Sequence, residues 1–247
     1  MKTKIMMIIV WLFVSTCHAT PSLNELTLSL KLWLVDQQQT PIHFNANQGA
    51  LFANESLNSG GEIHYKQQGE KCIAYAPHRF YDKHTHTIAK ALYAHCQVFL
   101  SNTKHRNDRD EHGELIDFGK YKPSASNAFI LAYSEHVESF SIYQIHGYAK
   151  EKRKTPEGKK ADAIISNGHA IPSKRTIAIT ACLNEQLDIT AMVYGLDVKE
   201  LGGTSNILAS LAPKNSQFFH IELSRQLRER LVSNNQLFKL FNQCLIS

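Results

Sequence analysis

Short runs rich in β-branched and aromatic residues alternate along this chain with stretches whose apolar residues recur at helical spacing, which confines it to layered α/β folds. Strands are predicted over residues 72–76, 98–101, 139–145, 163–165, 189–194 and 218–223. Helices are predicted over 85–95, 126–136, 174–185 and 224–232. Strands separated by helices pair in parallel, so a mostly parallel sheet is expected. Residues 25–65 begin Leu-rich and become Gln- and Asn-rich, with Gly60-Gly61 as a turn, and read as irregular structure with an edge hairpin. No repeat or linker divides residues 20–247, which are read as one domain.

The amino-terminal end has its own logic. Met1, Lys2 and Lys4 precede an apolar stretch, residues 5–14, and Cys17 and Ala19 stand three and one positions before a cut after Ala19. This layout predicts a secretory signal peptide over residues 1–19 and a periplasmic or secreted mature chain. An uncleaved anchor, or a lipoprotein signal acylated at Cys17, are the competing readings. No later stretch approaches the roughly 20 apolar residues that a spanning helix needs, so no membrane association is expected after cleavage. Cleavage leaves Cys72, Cys96, Cys182 and Cys244 in a compartment that permits disulfides, with three pairings open. The net charge of +5 owes part of its excess to the signal and to the run Lys150-Glu151-Lys152-Arg153-Lys154, which reads as a solvated loop. Basic residues are not interleaved with aromatics, so nucleic acid is not an expected partner. The sequence leaves the oligomeric state open.

In open α/β sheets, ligands bind beyond the carboxyl ends of the strands, where loops converge. His78 and Asp82 follow the first such strand, four residues apart, so a loop or helical turn can aim both at one point. A catalytic zinc takes three protein ligands and keeps a fourth position open. His146, at the end of an apolar strand and followed by Gly147, supplies the third candidate ligand. Glu222 lies inside Phe218-Phe219-His220-Ile221-Glu222-Leu223, where a buried carboxylate needs a counter-charge or a cation nearby. A salt bridge to Arg225 or Arg228 would satisfy it structurally; a general base beside a metal-activated water would use it chemically. Arg106 is the candidate for gripping a substrate carboxylate or a developing oxyanion, unless Asp108 or Asp110 pairs with it. Asn102 and Tyr148, near two strand ends, are further substrate-binding candidates, and Asp117 and Asp162 are possible partners for a ligand histidine.

The order of these residues resembles the zinc carboxypeptidase superfamily: a His with a nearby acid, a strand ending in His146-Gly147-Tyr148, the loop Leu201-Gly202-Gly203-Thr204-Ser205-Asn206, then a strand carrying Glu222. The resemblance spans residues 72–228 and is nearest to the branch of poly-γ-glutamate hydrolases and N-formylglutamate amidohydrolases. It implies a three-layer α/β sandwich with a mixed, mostly parallel central sheet flanked by helices. It also implies zinc held by His78, Asp82 and His146, with Glu222 catalytic. The first motif is HxxxD where carboxypeptidases have HxxE, which leaves His84 or His86 as alternative ligands, and their peptide-end recognition motif is not plainly present. The expected function is hydrolysis of a peptide, γ-glutamyl or N-acyl amino acid amide, with a peptide-like or acidic substrate. A catalytically silent cell-envelope binding protein on the same fold is the alternative. A metallophosphoesterase fits less well, because that chemistry wants two metals and more carboxylates.

Overall fold

A computed structural model describes residues 20–57 and 59–246; the predicted signal peptide lies outside the described residues. Elements follow in chain order: α1 (Leu23–Val35), β1 (Phe44–Asn47), β2 (Ala50–Ala53), β3 (Glu62–Tyr65), β4 (Glu70–Ala76), α2 (Thr85–Leu92), β5 (Cys96–Ser101), α3 (Ala125–Ser134) and β6 (Phe140–Tyr148). Then come α4 (Pro156–Lys160), β7 (Ala163–Ser166), α5 (Lys174–Leu187), β8 (Ala191–Val193), α6 (Leu208–Leu211), β9 (Ser216–Ser224), α7 (Arg225–Ser233) and α8 (Asn235–Ile246). The strands form one sheet in the order β1-β2-β3-β5-β4-β6-β9-β7-β8. Its centre is parallel from β5 through β4 and β6 to β9, and β7 returns antiparallel against β9. The expected α/β sandwich with a mixed sheet is therefore present, with β1, β2 and β3 forming an antiparallel wing.

Two apolar layers sandwich the sheet. Leu26, Leu30 and Trp33 of α1 pack with Phe129 and Tyr133 of α3 against Ile73, Ile142 and Phe218. The other face meets α2, α5, α7 and α8 through Ile88, Leu183, Leu227 and Phe241, which pack with Tyr143, Ile145, Phe219 and Ile221. Because successive side chains on a strand alternate faces, an apolar run such as 218–223 reflects burial on both sides. Several helices start on serine caps: Ser124 Oγ accepts from Asn127 N at 3.1 Å, and Ser224 Oγ accepts from Leu227 N at 3.2 Å.

Two expectations change. The segment read as irregular holds α1, whose start is fixed by a reciprocal capping box between Ser22 and Glu25. The strand expected to stop at Ile145 continues through His146 to Tyr148, because β9 pairs with it as far as Tyr148↔Ser224. The cysteines pair as Cys72–Cys96, joining neighbouring strands β4 and β5, and Cys182–Cys244, joining α5 to α8. Among the described residues, no helix is long and apolar enough to cross a membrane.

Candidate metal-binding and catalytic site

The carboxyl ends of β4, β6 and β9 bring the candidate residues together. Alternation along β6 puts Gln144 and His146 on the same face, and the register pairs them with His220 and Glu222 of β9. The face that is apolar at Phe140, Ile142 and Phe218 thus becomes polar over its last turns. His78 and Asp82 come from the loop after β4, where backbone N–H groups of Tyr81 and Asp82 both donate to the His78 carbonyl and curl the segment. One ligand atom each from His78, Asp82 and His146 lies within 4.8 Å of the others, and all three residues are buried. His84 and His86 stand apart from this cluster: His84 sits at the α2 start, and His86 Nε2 lies 3.3 Å from Glu62 Oε2.

A cavity of about 310 Å3 opens here, lined by His78, Arg106, Asp117, Lys120, His146, His220, Glu222 and the loop from Leu201 to Asn206. The imidazoles of His78 and His146 each have one edge fixed. His78 Nε2 donates to Asp117 Oδ1 at 2.6 Å, which turns Nδ1 toward Asp82 Oδ2 at 3.3 Å. His146 Nε2 donates to Gln144 Oε1 at 2.9 Å, an oxygen that also accepts from Asn206 Nδ2 at 2.6 Å. Its Nδ1 is left 3.8 Å from Asp82 Oδ2. Two imidazole nitrogens and one carboxylate, buried and pre-aimed, form a donor set that fits a divalent transition metal.

The electrostatics separate these groups. Burial alone would depress the His78 pKa, but its hydrogen bonds to Asp117 and Asp82 raise it. Burial drives His146 well below the ordinary imidazole value, and brings His220 down to about 3. Burial would raise Asp117, yet the His78 hydrogen bond and the charges of His78 and Arg106 bring it down to about 2. Glu222 goes the other way: burial, helped by the Asp82 charge, pushes it up to about 8. Its Oε2 is buried without a hydrogen-bond partner among the described residues.

The other sequence candidates fall in varied places. Arg106 reaches the cavity, pairing with Asp117 Oδ2, with Nη1 3.2 Å from His78 Nδ1; its partner is Asp117 and not Asp108 or Asp110. Asn102 is buried below it, where Oδ1 accepts from Lys104 N at 2.8 Å and Nδ2 donates to the Ile116 carbonyl. Its side chain is spent on shaping the loop that carries Arg106. Tyr148 is also buried, its hydroxyl donating to the Ala161 carbonyl. Asp162 pairs with Lys150 at 2.6 Å, away from the cavity. Glu222 makes no ion pair with Arg225, which bonds Glu229, and lies near Arg228 without a hydrogen bond to it.

Sequence reasoning overlooked His220, whose ring stacks on His146 at 4.3 Å between centroids. Its position two residues before Glu222 on a strand was the available signal. Gly147, next to His146, serves packing on the other side of the sheet. A Cβ there would lie 1.1 Å from Arg228 Nη1, so the missing side chain admits a buried arginine on the sheet face opposite His146.

No protein-family model matches the chain, and no curated protein matches it in sequence. Among solved structures, N-formylglutamate amidohydrolase from Ralstonia eutropha JMP134 is similar with a TM-score of 0.50 at 12% identity, over 75% of this chain and 95% of that one. A zinc-free apo structure of YNDL is similar with a TM-score of 0.49 at 14% identity, over 85% of this chain and 91% of that one. The chain shares the α/β fold of the N-formylglutamate amidohydrolase structure.

Proposed function

We propose that this chain is an exported, zinc-dependent amide hydrolase acting on peptide, γ-glutamyl or N-acyl amino acid bonds. The observation that carries the reading is the convergence of His78, Asp82 and His146, two of which line the cavity that also contains Glu222, whose buried Oε2 has no hydrogen-bond partner among the described residues. His78, Asp82 and His146 would hold the ion, and two imidazoles with one carboxylate are good zinc donors that leave a fourth position free. When bound, zinc supplies a Lewis acid that polarises the substrate carbonyl and lowers the pKa of water to about 7.

The chain's own residues do the rest. Glu222, ionised once a cation sits beside it, takes the proton from the attacking water on its free Oε2 and delivers it to the leaving nitrogen. Asp117 holds His78 by Nε2, so that Nδ1 keeps facing Asp82. Arg106, anchored on Asp117, offers its remaining N–H groups to a substrate carboxylate or to the oxygen that gains charge. Lys120 beside it adds positive charge at the cavity rim, which favours acidic substrates. Two disulfides support export, because such bonds persist in oxidising compartments.

The test is metal analysis of purified protein, followed by assay against γ-glutamyl, N-acyl-glutamate and muropeptide amides. About one zinc per chain is expected, with turnover lost on chelation and in Glu222→Gln while that variant keeps its metal. Protein without stoichiometric zinc, or activity indifferent to chelation, overturns the reading. Metal binding with no turnover on any amide would instead support the silent binding protein.

A further inference from the structure

The cavity contains more donors than one ion needs. A second triad, His146, His220 and Glu222, also brings one ligand atom from each residue within 4.8 Å of the others, and all three are buried. Two of its atoms, His220 Nδ1 and Glu222 Oε2, have no hydrogen-bond partner among the described residues. Buried polar atoms are normally paired, so two unpaired ones on neighbouring side chains of one strand face, with His220 Nε2 3.9 Å from Glu222 Oε1, point to a ligand-binding role. The His220 ring is held in position: it stacks on His146, and Gly203 lies so close that a Cβ there would meet the ring at 2.6 Å.

We propose that the cavity offers a divalent transition-metal ion two alternative seats that share His146, one with His78 and Asp82 and the other with His220 and Glu222. The seats exclude each other. His146 spends Nε2 on Gln144 Oε1, which leaves Nδ1 as its single donor, and one nitrogen lone pair serves one ion. Both seats present two imidazoles and a carboxylate, so the same metals suit both. An ion in the second seat engages Glu222 and takes away its proton-carrying role, which makes that position a silent one. This last clause rests on the proposed hydrolase reading; the existence of the seat does not.

Equilibrium dialysis against zinc, with metal counted per chain and located by anomalous scattering, tests the seat without substrate. Wild type should hold about one equivalent. His78→Ala should still hold close to one, at least tenfold more weakly, with the anomalous peak beside His220 and Glu222; adding His220→Asn to that variant should remove it. Asp82→Asn opens the first seat by a gentler change and should behave like His78→Ala, which covers the case in which the alanine variant misfolds. If both first-seat variants fold and bind no zinc while wild type does, the second seat is wrong and the hydrolase reading stands. Retention of zinc in the His78→Ala, His220→Asn double variant also overturns the seat. Zinc seated as expected in protein that hydrolyses no amide would sink the hydrolase reading and leave the seat intact.

Discussion

Two glutamates are buried in the same sheet, and their surroundings are opposite. Glu62, on β3, is 4% exposed, and Glu222, on β9, is 8% exposed, so burial does not distinguish them. Around Glu62 stand Arg79 Nη1 at 2.7 Å, His64 Nε2 at 2.8 Å, His86 Nε2 at 3.3 Å and Lys90 Nζ at 3.5 Å. Burial would raise its pKa, but the hydrogen bonds from His64 and His86 and the charges of His86 and Lys90 hold it far below the carboxylate range. Around Glu222 stand an imidazole 3.9 Å away and an unbonded oxygen, and burial wins. A buried charge surrounded by cations ties structure together, whereas one with an unbonded oxygen and a raised pKa is a candidate for chemistry. Asp117 is intermediate: it lines the cavity, yet both its oxygens are engaged by His78 and Arg106.

The contrast can be broken most decisively at Glu222. Glu222→Gln should cost about 10²–10⁴-fold in turnover, the range for a general acid-base residue, while the protein remains folded. In the metal-free protein, wild-type stability should fall as pH rises from about 4.5 toward 8. The folded state holds the Glu222 proton longer than the unfolded chain does, so ionisation penalises the fold across that window. Glu222→Gln should flatten this slope in denaturant titrations; a variant less stable than wild type at pH 7 would mean Glu222 is structurally paired after all.

Glu62→Gln should do the reverse, lowering stability by about 2–3 kcal/mol, below the value for a fully buried pair because its partners are partly exposed. Thermal unfolding should shift down by about 5–10 °C. The sign with pH is also opposite. Glu62 contributes its stability above the unfolded carboxylate pKa and loses it as pH falls through its depressed folded value, so acid should narrow the gap between variant and wild type.

Asp117→Asn probes the intermediate case. It keeps the shape but weakens the hold on His78 Nε2, and should reduce metal affinity about 10–100-fold in competition with a chelator. Unchanged affinity would show that His78 is oriented by other contacts. The smallest effect is expected at Tyr148→Phe, which loses one hydrogen bond to the Ala161 carbonyl and about 1 kcal/mol. KM should not move; a several-fold rise would return Tyr148 to the substrate side.

Period and alternation in the chain were enough to reveal the sheet core, because central strands buried on both faces must read as apolar runs and the helices between them as amphipathic ones. Residues 216–224 and 174–187 are examples, and their predicted spans differ from the structure by a few residues at the ends. Helix α1 was not legible, because the Leu-rich stretch after its Ser22-x-x-Glu25 start lacks a clear amphipathic pattern. Nor was the short strand β3, since four residues carry too little pattern to identify a strand. By itself, the sequence determined the layered α/β class and the order of His78, Asp82, His146 and Glu222 along the chain. Tertiary structure alone decided which groups meet. Asp117 reaches His78 across 39 positions, Cys72 pairs with Cys96 and not with Cys182 or Cys244, and His220 joins the cavity through the β6–β9 register. The physical reason is that local pattern reports which face of an element is buried, whereas contacts between elements depend on how sheet order and register bring distant side chains to one point.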